Sequence, residues 1–240
     1  MPMRAVAIIP ARVGSTRFPG KVLAAVDGRP LVVHVWERAC EASLISEVVV
    51  ATDSPEVAEA ISARGGRVVM SSGTYETGTD RVASAALGLD ADVVVNVQAD
   101  NGDLNPSTID AVVAMFRRPE VLAATPVSEF PSDQSVSDLS KVKARVDANG
   151  VASVFTRQSI SDGYLHIGVY GFRPEVLQRY ASWERGRLEL AEQLEQLRLL
   201  ENGVPIHAVV VDDDTVGVDT LTDMNHLLNK LSPGPMDPRF

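Results

Sequence analysis

The chain has 240 residues, of which 45% are hydrophobic, and it carries a formal net charge of −10. This length fits one large domain, and the acidic balance argues against nucleic acid as a partner because phosphate binding needs a basic surface. No apolar run reaches the roughly 20 residues of a membrane helix, and no signal peptide is recognisable. The only cysteine, Cys40, excludes a disulfide framework, so we expect a cytoplasmic protein.

The first part of the chain alternates predicted strands and helices. Strands are expected at 4–9, 47–51, 67–70 and 92–97, and helices at 30–42, 55–64 and 79–89. Alternation of this kind indicates βαβ units and a parallel sheet with helices on both faces. The predicted fold class is therefore α/β.

The pattern after residue 105 is richer in strands. Asp-Ala-Asn-Gly at 147–150 predicts a hairpin. Strands are expected at 122–127, 142–146, 151–156, 165–172 and 206–211, and helices at 107–117, 174–180, 188–201 and 222–231. We expect one domain over 1–231, in which 141–185 form an inserted β-rich arm for acceptor binding or dimerisation. The prolines of 232–240 predict a disordered tail.

The loop after the first strand groups cations with small residues. It reads Pro10-Ala-Arg-Val-Gly-Ser-Thr-Arg-Phe-Pro-Gly-Lys21 and lacks Walker A spacing, because five residues separate Gly14 from Gly20. It is not Gly-x-Gly-x-x-Gly either. A solvated loop is the ordinary interpretation of any single charge here. Three cations at a sheet edge where α/β proteins bind ligands favour a triphosphate whose pyrophosphate leaves.

Several motifs, in the correct order, resemble the CMP-Kdo synthetase family (3-deoxy-manno-octulosonate cytidylyltransferases). The resemblance runs from Ile8 to about Met224. Besides the first loop it rests on Val49-Val-Ala-Thr-Asp53, Gly78-Thr-Asp-Arg81, Val95-Asn-Val-Gln98, His166-Ile-Gly-Val-Tyr-Gly171, Leu194-Glu-Gln-Leu-Arg198 and Gly217-Val-Asp-Thr220. It implies a mostly parallel Rossmann-like sheet of the nucleotidyltransferase (GT-A-like) type, transfer of CMP from CTP to an acidic acceptor, and a homodimer.

The resemblance also implies roles for individual residues. Asp100 and Asp219 are expected to bind Mg²⁺, which takes one or two carboxylates together with phosphate oxygens and water. The expected catalytic residues are Lys21, Arg12, Asp100 and Arg81. The residues expected around CTP are Ala11, Arg12, Ser15, Arg17, Lys21, Thr77, Gly78, Thr79 and Gln98. Those expected around the acceptor are Arg81, His166, Tyr170, Arg187, Glu195 and Gln196.

Other conspicuous residues have structural interpretations. A lone Asp at a strand end is usually a turn former or helix cap, and the run Asp212-Asp213-Asp214 is expected to be a solvated turn. His34 and His207 are expected to be structural, while His166 is equally compatible with a structural or a catalytic role. Trp36 and the apolar stripe Leu188, Leu194 and Leu197 predict core or dimer surface.

The sequence departs from the family pattern on the acceptor side. Asn101 and Gly102 replace Glu and Pro, only 158–165 remain of a longer segment, and Gly186-Arg187 replaces Ser-Pro. A shorter segment with added positive charge leads us to expect a small phosphonate such as phosphonoformate as acceptor. The alternatives are Kdo or another ulosonic acid, a catalytically silent nucleotide-binding homologue, and a glycosyltransferase of related fold using Asp212-Asp213-Asp214.

Overall fold

The computed structural model describes residues 3–14, 18–130, 136–215 and 217–231. Its strands are β1 (Ala5–Ala11), β2 (Ala25–Val26), β3 (Arg29–Pro30), β4 (Ile45–Thr52), β5 (Arg67–Met70), β6 (Val93–Val97), β7 (Ala123–Ser128), β8 (Lys143–Val146), β9 (Val151–Thr156), β10 (Tyr164–His166), β11 (Val169–Phe172) and β12 (Ile206–Val210). Its helices are α1 (Leu31–Glu41), α2 (Pro55–Ser62), α3 (Gly78–Ala85), α4 (Pro106–Met115), α5 (Pro174–Ser182), α6 (Arg187–Glu192), α7 (Leu197–Glu201) and α8 (Leu221–Leu231). One turn of 3-10 helix spans Lys21–Leu23.

The strands other than β2 and β3 form one mixed sheet in the order β10-β8-β9-β12-β7-β11-β6-β1-β4-β5. β1 pairs in parallel with β4 and β6, and β4 pairs in parallel with β5. β11 runs antiparallel to both β6 and β7, so those two strands point the same way, and β12 is parallel to β7. The α/β prediction with a mostly parallel sheet is confirmed.

The β-rich segment 141–185 is continuous with this sheet. β8, β9 and β10 extend it beyond β12 by antiparallel pairing, whereas β11 fills the place between β6 and β7. The predicted hairpin turn is present, with Asp147 Oδ1 accepting hydrogen bonds from the amides of Asn149 and Val151. Gly150 has a φ of 76°, a left-handed conformation that favours glycine.

Both faces of the central strands are buried, which explains their uninterrupted apolar sequences. In β1, Ala5, Ala7 and Ile9 belong to the core cluster on one face, and Val6 and Ile8 to the cluster on the other. Helices cover each face, so the carboxyl ends of the parallel strands are left as the open edge at which ligands bind.

The predicted helix 188–201 is two short helices, because Gln193 adopts a left-handed φ of 55° after α6. Leu194 and Leu197 are buried as expected, but Leu188 is 51% exposed and is not part of the core. The predicted strand 165–172 is likewise interrupted at Ile167 and Gly168, between β10 and β11.

The acidic run after β12 is not simply a solvated turn. Asp213 is buried and accepts hydrogen bonds from the amide of Asn105 and the hydroxyl of Thr108 at the start of α4. Asp214 pairs with Lys230. No helix among the described residues is long and apolar enough to cross a membrane. The predicted tail, 232–240, lies outside the described residues.

Candidate active site

A cavity of about 650 Å³ opens at the carboxyl ends of the central strands. Its walls come from the first loop, the start of α3, the loop after β6, the strands β10 and β11, the α6–α7 connection and the segment before α8. Residues far apart in the sequence therefore meet here. The volume is in the range expected for a small-molecule site.

Lys21, Asp100 and Asp219 meet in one wall of this cavity. The ammonium of Lys21 donates to Asp100 Oδ2 at 2.7 Å, to Asp219 Oδ1 at 3.1 Å and to the carbonyl of Val218 at 3.0 Å. The amide of Val218 in turn donates to the carbonyl of Asp100 at 3.0 Å. Two carboxylates from distant parts of the chain thus converge on one cation.

The charge state of Lys21 follows from these contacts. Burial alone would lower the pKa of its ammonium, but the charges and hydrogen bonds of Asp100 and Asp219 outweigh that effect and raise the pKa. Lys21 is therefore a fixed positive charge at neutral pH. A fixed cation of this kind suits the stabilisation of negative charge that develops on a phosphate.

The same two carboxylates fit a magnesium ion. Their oxygens converge on a single cationic group, the Lys21 ammonium, and two convergent carboxylates would also be able to hold a hard cation. No cluster of three or more His, Cys, Asp or Glu residues able to hold a metal occurs in the described part of the chain. A site with only two carboxylates suits Mg²⁺, because phosphate oxygens and water complete its octahedron.

The start of α3 forms a second wall of the cavity. Thr77 caps this helix in a reciprocal capping box with Asp80. Gly78 permits a close approach, since a Cβ there would lie 3.1 Å from Gln98 Nε2 and 3.3 Å from Pro10 Cγ. Thr77, Gly78 and Gln98 line the cavity, whereas Thr79 is buried beside it.

Glu195 ties this helix to the loop after β6. Its carboxylate accepts hydrogen bonds from the Thr79 amide at 2.8 Å and from Gln98 Nε2 at 2.6 Å. Burial raises the pKa of Glu195 against the opposing effect of hydrogen bonds from Thr79 and Thr77. The break at Gln193 is what brings Glu195 to the cavity, where it contacts residues expected around CTP as well as lining the predicted acceptor side.

Arg81 lines the cavity from a buried position. Its guanidinium donates to Asp53 Oδ2 at 2.7 Å and to Ser71 Oγ at 2.6 Å, and it lies over the ring of Tyr75 at 4.9 Å. Much of its hydrogen-bonding capacity is therefore used within the protein. Arg12 lines the cavity as an exposed cation at the end of the first strand.

His166, Tyr170 and Gln196 form one connected group on the acceptor side. Tyr170 donates to Gln196 Oε1 at 3.2 Å, and the Tyr170 and His166 rings lie 5.3 Å apart. Thr125 Oγ1 gives its proton to the Val169 carbonyl, so His166 Nε2, 3.0 Å away, is the donor to Thr125. Burial, helped by the charge of Arg157, lowers the pKa of His166 to about 3.

The structure does not bring every predicted site residue to the cavity. Arg187 is exposed at the start of α6 and is not among the lining residues, so the acceptor contact expected of it stays a prediction. Ala11 is fully buried at the end of β1 and contributes no cavity surface. Ser15 and Arg17 lie outside the described residues.

The change to Gly186-Arg187 has a structural explanation. A Cβ at Gly186 would lie 2.1 Å from Glu201 Oε2. The Glu201 carboxylate accepts hydrogen bonds from the amides of Leu188 and Glu189, and so caps α6 in place of a side chain at position 186. The departure at this position therefore alters how α6 is capped, not the charge of the cavity.

Three cations that sequence reasoning missed line the cavity: Lys141, Arg157 and Arg185. The buried ammonium of Lys143 holds two of them by donating to the carbonyls of Lys141 and Arg157, at 3.0 and 2.8 Å. Lys141 and Arg157 stand in no regular pattern and come together only through the pairing of β8 with β9, whereas Arg185 lies between α5 and α6. The sequence offers no local signal for them.

Asn101 and Gly102 have packing roles in the loop after β6. Asn101 is buried, and its side-chain amide donates to the carbonyl of Gly168 at 3.0 Å. A Cβ at Gly102 would lie 2.6 Å from Leu31 Cδ1 and 2.8 Å from Leu227 Cδ2, so glycine allows α1 and α8 to pack against this loop. The loop is shaped by side-chain packing where the family has proline.

Comparison with known proteins agrees with this geometry. The cytidylyltransferase family model matches residues 6–206. The 3-deoxy-manno-octulosonate cytidylyltransferase of Geobacter metallireducens is 42% identical over 250 residues, which cover 96% of this chain and 98% of that protein. The enzyme of the same name from Myxococcus xanthus is 43% identical over 231 residues, covering 92% and 94% of the two chains.

Solved structures give the same result. A CMP:2-keto-3-deoxy-manno-octonic acid synthetase solved in complex with CTP superposes with a TM-score of 0.89 at 33% identity, covering 96% of this chain and 99% of that chain. A cytidylyltransferase of Leptospira borgpetersenii shares the fold, with a TM-score of 0.67 at 18% identity over 97% and 88% of the two chains. The chain therefore belongs to the CMP-Kdo synthetase family of cytidylyltransferases, and it transfers CMP from CTP.

Proposed function

We propose that the acceptor is Kdo (3-deoxy-manno-octulosonate) and that the reaction uses Mg²⁺ held by Asp100 and Asp219. The observation that carries the proposal is one continuous cavity. It runs from the Lys21–Asp100–Asp219 cluster to the His166, Tyr170 and Gln196 group. Relatives named for this acceptor are more than 40% identical over nearly their full length.

The residues of the chain supply position and charge for the reaction. A hydroxyl oxygen of the acceptor attacks the α-phosphorus of CTP and loses its proton to water, a new P–O bond forms, and the bond to the β-phosphate oxygen breaks to release pyrophosphate. Lys21 and Arg12 face the cavity as cations able to stabilise the charge on the phosphates. When bound, Mg²⁺ would neutralise further phosphate charge.

The acceptor side provides cations and neutral hydrogen-bonding groups. Arg157 and Lys141 line this part of the cavity and suit the carboxylate of a sugar acid. The buried Tyr170 and His166 remain neutral, because burial raises the pKa of the tyrosine well above 10 and lowers that of the histidine. They act as hydrogen-bonding and shape-defining groups.

The positive charge at position 187 no longer supports the hypothesis that the acceptor is a small phosphonate. That hypothesis depended on a cation gained at position 187, and Arg187 lies outside the cavity. The shortened segment 158–165 is still consistent with a smaller acceptor, so phosphonates belong in the test. The silent-homologue reading is not favoured, since Lys21 is held between both carboxylates.

The test is pyrophosphate release from CTP and Mg²⁺ with Kdo, sialic acid, phosphonoformate or a simple phosphonate. We expect turnover with Kdo at least 100-fold above the no-acceptor background, and loss of it in Lys21→Met or without Mg²⁺. Turnover only with a phosphonate would overturn the acceptor proposal. Turnover that persists in the presence of a metal chelator would overturn the magnesium proposal.

A further inference from the structure

Asp100 and Asp219 follow strands that are not neighbours in the sheet. Asp100 lies in the loop after β6, and Asp219 lies at the end of the segment that connects β12 with α8. The strands β7 and β11 separate β12 from β6. Ladder hydrogen bonds therefore cannot set the relative position of the two carboxylates, and other contacts must do so.

Asp213 makes the first of these contacts. Its side chain is buried, and Oδ2 accepts hydrogen bonds from the Asn105 amide at 3.2 Å and from the Thr108 hydroxyl at 2.5 Å. Its Oδ1 accepts from the amide and the hydroxyl of Thr215, at 2.9 and 2.5 Å. One carboxylate thus fastens the segment that carries Asp219 to the start of α4, which directly follows the loop that carries Asp100.

Lys230 makes the second contact, from the last turn of α8. Its ammonium donates to Asp103 Oδ2 and to Asp214 Oδ1, both at 2.5 Å. The Asp103 side chain is only 8% exposed and belongs to the loop of Asp100, whereas Asp214 belongs to the segment of Asp219. Lys230 therefore connects the same two parts of the chain as Asp213 does.

We propose that Asp213 and Lys230 are positioning residues that hold Asp100 and Asp219 at the separation needed to share one divalent cation. Neither residue lines the cavity as described, so neither touches the substrates. The inference rests on the proposed magnesium site. Groups that hydrogen-bond metal ligands directly typically account for 10- to 100-fold in affinity. Asp213 and Lys230 act one contact further away, so we expect effects at or below the lower end of that range.

The two residues are expected to contribute unequally. Asp213 is buried and satisfies four donors, so Asp213→Asn places an amide where only an acceptor fits and should weaken metal binding about 10-fold. Lys230→Met should weaken it several-fold, and Lys230→Arg should restore most of the loss. Asp214→Asn should weaken it less than Lys230→Met does, because the asparagine side-chain oxygen can still accept a hydrogen bond from the Lys230 ammonium.

The experiment measures Mn²⁺ binding to the full chain with CTP and no acceptor, by electron paramagnetic resonance, alongside the Mg²⁺ dependence of pyrophosphate release. Arg38→Met is the matched control, because it removes a helix cation paired with Glu41 away from the cavity. We expect the Mn²⁺ dissociation constant and the Mg²⁺ activation constant to rise together in Asp213→Asn and Lys230→Met. The KM for the acceptor should stay within about 2-fold.

An unchanged Mn²⁺ affinity in both variants, with a lower melting temperature, would overturn the inference and assign the two residues to stability alone. If Asp213→Asn does not fold, the Mn²⁺ affinities of Lys230→Met and Lys230→Arg test the inference without it. Failure of the proposed function looks different: the unmodified protein would then bind no Mn²⁺ with CTP and release pyrophosphate without Mg²⁺. That result would overturn the metal site and this inference together.

Discussion

His166 is the residue whose protonation should be most visible in stability. Its pKa is lowered to about 3 by burial and by the charge of Arg157, against an ordinary value of 6.5. Between pH 6.5 and 3 the unfolded chain therefore binds a proton that the native state does not bind. The free energy of unfolding must fall as the pH drops through that window.

We predict that His166 lowers the free energy of unfolding by about 2 kcal/mol on going from pH 7.5 to pH 5. Urea denaturation at the two pH values checks this by comparing the protein with His166→Gln, in which that part of the pH dependence should be missing. His226→Gln, at an exposed histidine, is the control and should keep it. Equal pH dependence in the protein and in His166→Gln would contradict the prediction.

Arg157 and Arg187 provide a matched test of acceptor recognition. Arg157 lines the cavity, and Arg187 is exposed outside it. A lost charge-assisted hydrogen bond is worth about 1.5–3 kcal/mol, so Arg157→Gln should raise the KM for the acceptor at least 10-fold and leave the KM for CTP nearly unchanged. Arg187→Gln should match the unmodified enzyme in steady-state kinetics. A raised acceptor KM in Arg187→Gln would restore the charge argument for a phosphonate.

At the scale of elements, the capping of α6 depends on a pair of residues. Gly186→Ser must displace the Glu201 carboxylate, which then loses its hydrogen bonds to the amides of Leu188 and Glu189. Losing a helix cap costs about 1 kcal/mol, and a serine at this position can itself supply one. We therefore predict that Gly186→Ser is destabilising alone but much less so when Glu201→Ala has already emptied the space.

A double-mutant cycle in urea denaturation measures this coupling. The expected interaction energy between the two substitutions is about 1 kcal/mol in favour of the double variant. Glu201→Gln is the control for charge, since an amide oxygen still accepts one of the hydrogen bonds. Strictly additive effects would mean that Glu201 does not cap α6.

Structural elements that depend on neighbouring residues were predictable from the sequence, whereas elements that depend on tertiary contacts were not. The hairpin at 147–150 follows from short-range hydrogen bonding, and the structure has it. The break in the helix at Gln193 has no such local signal. It is accompanied by hydrogen bonds from Thr79 and Gln98 to Glu195, and both donors are distant from it in the sequence. The insertion of β11 between β6 and β7 is likewise a tertiary outcome.

The candidate site divides in the same way. Asp100 closely follows a predicted strand and Lys21 ends the loop after the first one. The motif resemblance reached both residues and Asp219, which the structure brings together. Lys141 and Arg157 are held in place by the buried Lys143 through backbone carbonyls, an arrangement that no spacing rule encodes. The sequence pointed to Arg187 as an acceptor contact because of its charge, but the sequence does not show which side of α6 faces the cavity.

At the scale of the whole molecule, an acidic protein has to bind acidic substrates. The net charge is −10, but the described walls of the cavity carry six cationic residues (Arg12, Lys21, Arg81, Lys141, Arg157 and Arg185) and six carboxylates. The lining of the cavity is therefore formally neutral, although the protein as a whole has a negative net charge. This distribution reduces the repulsion that CTP would otherwise meet at the site.

The sheet joins the two halves of the chain into one unit, and two tryptophans can test this. Trp36 in α1 packs against the core cluster on one face, and Trp183 after α5 packs against the cluster on the other. β11, from the second half, is paired with β6 from the first. Unfolding of either half would break that ladder, so we predict a single cooperative transition, as for one domain over 1–231.

The measurement is urea denaturation of Trp36→Phe and Trp183→Phe, each followed by the fluorescence of its remaining tryptophan and by far-UV circular dichroism. Within each variant the two signals should give the same midpoint. CTP with Mg²⁺ at 100 times its dissociation constant should stabilise both variants by about 2.7 kcal/mol, because the cavity walls come from both halves. If Trp183 reports an earlier transition that CTP does not shift, the β-rich segment 141–185 unfolds on its own and the chain holds two units. Coincident transitions that shift together with CTP would mean that the nucleotide site exists only while the whole sheet is intact.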